Sequence, residues 1–162
     1  MFDPLPSSAN DARWAETWHD LGQGAPSLAG LARLCSYALA TGGEPNLPLS
    51  IEAKAILFAA RERGTVEVKG SNRAFDAPAR MLAVYVETSP EVTLIFRNRE
   101  NPAMTIRFLA GFRELCRAGL VMHHIYHDFS LTREGLDAAG KIAADEVREQ
   151  LEFATQVGLY ES

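Results

Sequence analysis

Leu28, Leu31, Leu34, Cys35, Ala38 and Leu39 recur at three- and four-residue steps, the spacing that gathers side chains on one side of an α-helix. Ser27 is placed to cap this helix, and Gly42 and Gly43 to end it. Ahead of it, Ser8 or Asn10 can cap another helix through Trp14 and Trp18, stopped by Gly22, Gly24 and Pro26. Ser50 caps a third, with Ile51, Ala55, Ile56 and Ala59 on one side and Gly64 as its stop. The period then shortens. Thr65 to Lys69 alternates polar and apolar, as a half-buried strand does. Asp76 and Pro78 form an N-cap and first-turn pair that opens a helix through Met81, Leu82, Val84 and Tyr85, although the β-branched end of that stretch also suits a strand. Ser89 and Pro90 make a turn, and Val92 to Phe96 reads as a strand.

Asn101 and Pro102 start a helix that runs to Gly119. At 100° per residue, Met104, Phe108, Leu109, Phe112, Leu115 and Cys116 fall in an arc of about 140°, with Arg107, Arg113, Glu114 and Arg117 opposite. Leu120 to Leu131 reads as two short strands with a turn near His127 and Asp128. Ser130 or Thr132 then begins a last helix reaching about Val157, its narrow stripe made of Leu136, Ala139, Ala143, Val147, Leu151 and Ala154. The expectation is a helix-rich α+β protein. Pro45 to Pro48 is the best internal boundary, leaving residues 1–48 as an N-terminal helical extension and 50–162 as the main α+β domain.

The stretch from Thr105 through Gly119, Leu120 and Val121, and on to Leu131, Thr132, Arg133, Glu134 and Gly135, resembles the end of a winged helix-turn-helix domain of MarR or PadR type. The resemblance covers about residues 101–140. It implies a recognition helix, a β-hairpin wing and a following helix. The capping chemistry fits that outline: Gly119 closes the helix in a left-handed conformation, Leu120 and Val121 return to the core, and Thr132 caps the next helix. This chain departs from the standard module by putting a strand, a longer helix and another strand between Gly64 and Asn101. The resembled regulators often dimerise through terminal helices, which implies a homodimer here, with duplex DNA or a protein as partner.

Composition changes this picture little, and charge changes it more. About half of the 162 residues are apolar and a quarter charged, as in ordinary globular proteins. A chain of this length buries enough surface to need no disulfide or metal staple. Its two cysteines, Cys35 and Cys116, lie in apolar helical contexts, and with no signal peptide or membrane span in the sequence a cytoplasmic location is expected. The net charge of −5 hides an uneven spread: about −3 over residues 1–60, 0 over 61–96, +3 over 97–133 and −5 over 134–162. On the DNA-binding reading, the basic stretch supplies Arg97, Arg99, Thr105, Arg107, Arg113 and Arg117 as contacts to phosphates or the groove. For Arg107, Arg113 and Arg117 on the helix, the plainer alternative is a solvated helix face.

The hairpin carries the other candidate chemistry. Strand alternation would put His123 and His127 on one face, with His124, Tyr126 and Asp128 on the other. His123 and His127 could ligate a transition metal with help from elsewhere, in a small metal-binding protein or enzyme; exposed, locally hydrogen-bonded histidines are the plainer reading. Gly22, Gly24 and Gly30 do not form GxGxxG because position 27 is Ser, and GxxxxGK[ST], GxSxG and HExxH motifs are absent. No cofactor is expected. The leading expectation is a non-enzymatic winged-helix-like regulator or interaction module.

Overall fold

A computed structural model of the chain describes residues 26–44, 46–70 and 81–158. Among these described residues, five helices, α1 (Pro26–Thr41), α2 (Ile51–Ala60), α3 (Pro102–Ala118), α4 (Arg133–Gly140) and α5 (Ala144–Phe153), accompany six strands. These are β1 (Thr65–Lys69), β2 (Ala83–Ser89), β3 (Val92–Ile95), β4 (Val121–His123), β5 (Asp128–Leu131) and β6 (Thr155–Gly158). They form one antiparallel sheet in the order β4-β5-β1-β2-β3-β6. The protein is therefore a helix-rich α+β fold. The predicted helix around Trp14 and Trp18, and the Asp76–Pro78 start signal, lie outside the described residues.

α2 is the pivot. The Ser50 hydroxyl accepts from Ala53 N and caps it, while Ala53, Ala55, Ile56, Leu57, Ala59 and Ala60 are all buried. A helix apolar on nearly every side belongs inside a protein, and here α3, α4, α5 and β2 surround it. α3 approaches closely because residue 111 is Gly: a Cβ there would meet the Ala53 backbone nitrogen at 2.8 Å. Phe108 of α3 stacks with Phe96 at 4.8 Å between ring centres, and Phe112 meets Phe129 edge-on at 4.9 Å. Leu28, Ala29, Leu31, Ala32 and Cys35 of α1 join the same hydrophobic core as the helices and strands beyond Pro48.

Alternation is clean on β1, where Val66 and Val68 are buried and Glu67 and Lys69 are only half-buried. The helix expected through Tyr85 is instead β2. Val84 and Val86 face the core, and β2 is paired on both sides, with β1 and β3, which suits its β-branched residues. The long last helix is also broken. It stops at Gly140, where Lys141 closes the turn and Ile142 packs against the core, and restarts at Ala144. After Ala154 the chain becomes extended, and β6 pairs with β3. Within the expected stripe Ala139 and Val147 are buried, but Leu136 is 47% exposed.

Candidate functional site

The outward face of α3 presents Ala103, Ile106, Arg107, Ala110, Arg113 and Arg117, all exposed. Pro102 begins the helix, but the Asn101 side chain makes no capping bond; Asn98 Oδ1 instead accepts from Glu100 N and Asn101 N. Gly119 closes it with φ 75°, as the sequence predicts. The six residues expected to contact DNA do not form one surface. Thr105 is a correction: it is 1% exposed, and its hydroxyl accepts from Asn98 N, which leaves it out of reach of a phosphate. Arg97 is turned inward, donating to the Met81 carbonyl at 2.9 Å and to the Tyr85 hydroxyl at 3.2 Å, with its Nε buried and unpartnered. Arg117 pairs with Glu44 at 3.3 Å. Arg99, Arg107 and Arg113 remain exposed.

A sequence-level arc cannot show what lies beside the arginines. α1 packs along α3, and between them runs a groove of about 430 Å3 lined by Ser27, Gly30, Leu31, Leu34, Ile106, Leu109, Ala110 and Arg113. Ile106, in the middle of the outward face, is 57% exposed. Its period on α3 places it outside the apolar arc, so the arc alone marks it as an exception without saying what it meets.

The hairpin turn begins earlier than the sequence suggests. Asp128 already opens β5; His124 N donates to Asp128 O and Asp128 N to Ile125 O, both at 2.9 Å. Tyr126 sits at its tip with φ 48°, a left-handed conformation costly for an aromatic residue. Because a turn interrupts the strand, the alternation that paired His123 with His127 fails, and the two do not share one ligand set. His123 Nε2 lies 2.7 Å from the Tyr126 carbonyl and its ring 5.0 Å from that of Phe129. Burial lowers the His123 pKa below the ordinary imidazole value, against the opposing pull of the Tyr126 carbonyl. His124 Nε2 is 2.6 Å from Ser130 Oγ. His127 instead faces Glu67 and Asp128.

A larger cavity of about 640 Å3 opens between the end of α1, α2 and α4, with Leu39, Leu47, Leu49, Leu57 and Ile142 among its apolar lining. Lys54 and Glu146, paired at 2.7 Å, stand at its edge. Nothing in the sequence signalled it, since its wall includes the linker after Pro45. Cys35 and Cys116 are fully buried neighbours; burial pushes the Cys116 thiol well above its ordinary value, and Cys35 adds to the shift. No helix among the described residues is long and apolar enough to cross a membrane. Comparison with protein-family models, with curated proteins and with solved structures finds no match to this chain.

Proposed function

We propose that the chain is a non-enzymatic, winged-helix-like interaction module, and that the groove between α1 and α3 receives an acidic amphipathic helix of a partner protein. The observation that carries this is Ile106, 57% exposed on the face where a DNA-reading helix needs polar groups. Leu31, Leu34 and Leu109 extend its apolar surface into the groove, and Gly30 and Ala110 leave room for a backbone to come close. Arg113 lines the wall and Arg107 stands exposed on the same helix, so an incoming helix gains most from acidic flanks. Helix-in-groove recognition uses this combination of apolar floor and charged margin.

The test pairs two probes with the full chain. A labelled synthetic amphipathic helix, leucines on one face and glutamates beside them, is expected to bind, and Ile106→Asp to weaken binding by about tenfold or more. Labelled random duplex DNA at low salt is expected to show no binding. Absence of peptide binding overturns the proposal. Duplex binding weakened by combining Arg107→Ala with Arg113→Ala would replace it with the DNA-contacting reading. A homodimer dissociated by Ile106→Asp would make a second copy the groove's occupant.

A further inference from the structure

Glu67 on β1 lies directly across from Asp128 on β5, so the strand register sets two carboxylates side by side. Like charges directly opposite each other on paired strands destabilise a sheet. The imidazole of His127 completes the group. Its Nε2 is 3.4 Å from Glu67 Oε2 and 3.6 Å from Asp128 Oδ1, and one donor atom from each of the three lies within 4.8 Å of the others. Both contacts exceed the usual hydrogen-bond range of about 2.7–3.2 Å. They are close to the edge of a tetrahedron with metal–ligand bonds of about 2.1 Å, which is about 3.4 Å.

We propose that Glu67, His127 and Asp128 bind a divalent transition cation of the zinc class, which ties the hairpin turn to the central strand. An imidazole nitrogen beside two carboxylates suits such an ion better than magnesium or calcium, which prefer oxygen donors throughout. Three protein ligands leave a fourth position for water. The backbone already holds the donors in register: Val68 N donates to the His127 carbonyl at 3.0 Å, and Glu67 pairs with Asp128 across the strands. All three side chains are about half exposed, which gives an ion access. Lys69 is the internal competitor. Its Nζ lies 3.0 Å from Glu67 Oε2, the same oxygen that faces His127, and 4.8 Å from the centre of the Tyr85 ring. An arriving cation must displace that ammonium.

The experiment is equilibrium dialysis of the untagged full chain, first stripped with chelator, against zinc chloride. Saturable uptake is expected, weakened about tenfold or more by His127→Ala, by Asp128→Asn and by Glu67→Gln. His123→Ala should leave the affinity unchanged, and Lys69→Met should raise it, a result that an ordinary ion-pair cluster does not produce. Each altered side chain is at the surface, and circular dichroism of the metal-free variants checks that the fold is intact. Failure to bind zinc saturably overturns the proposal, as does affinity that survives His127→Ala or falls with His123→Ala.

Discussion

Gly135 occupies a point where a side chain has no room, because a Cβ there would run into the carbonyl oxygen of Leu120. The close approach follows from Thr132, whose backbone N donates to Leu120 O and whose hydroxyl donates to Gly119 O and accepts from Gly135 N. Gly135→Ala is therefore expected to destabilise the protein by about 2–4 kcal/mol in urea unfolding, since backbone cannot yield as a flexible side chain does. Gly30 is the contrasting case. It sits in the interior of α1 with nothing within 4 Å of a Cβ, and Gly30→Ala should stabilise by about 0.5–1 kcal/mol. Equal effects of the two substitutions would contradict this difference in crowding. The Thr132 cap was legible in the sequence from its place before Glu134 and Gly135. The crowding at Gly135 was not, because it depends on a neighbour fifteen residues earlier, brought back by the hairpin. Thr105 failed for the same kind of reason: helical spacing gives an angle around the axis, not the loop that covers that angle.

At the scale of elements, the start of α2 depends on α3. Glu114 accepts from Ser50 N at 2.9 Å and from the Ser50 hydroxyl at 2.6 Å, while that hydroxyl caps Ala53 N. One carboxylate thus anchors the cap of a helix 64 residues away in sequence. Glu114→Ala should cost about 1–3 kcal/mol, the penalty of leaving a part-buried donor unsatisfied, and Glu114→Gln less. A change of under about 0.5 kcal/mol in thermal or urea unfolding would place the cap's strength in Ser50 alone. Ser50 was readable as a cap; its partner was not, since Glu114 lies on the polar side of its helix and reads as a solvated acid. Strong local signals survived folding: Ser50, Gly119 and Thr132 delimit the elements expected of them. β2 and β6 were less legible: β2 is held as a strand between β1 and β3, β6 pairs with β3 far earlier in the chain, and Gly140 with Ile142 interrupts a helix whose stripe continues past it.

For the whole molecule, the helices and the sheet share one core, and the candidate surfaces sit on opposite kinds of ground. The groove beside Ile106 is apolar and lies between helices, whereas Glu67, His127 and Asp128 occupy the polar side of paired strands. Charge distribution along the chain marked the basic region as a stretch of sequence, but folding divides its arginines among a part-buried hydrogen-bonded position at Arg97, an ion pair at Arg117 and open surface at Arg107 and Arg113. The two buried cysteines, one on α1 and one on α3, turn this architecture into a clock. Alkylation requires a thiolate in contact with reagent, and both sulfurs are sealed at the same helix–helix contact. The rate of iodoacetamide labelling in native buffer then measures how often α1 lifts away from α3, much as amide exchange measures local opening. Cys35 and Cys116 should label together, with one shared dependence on urea. Mass spectrometry that finds one thiol modified well before the other would mean that the two helices part at one end first, and that the groove between them opens like a hinge.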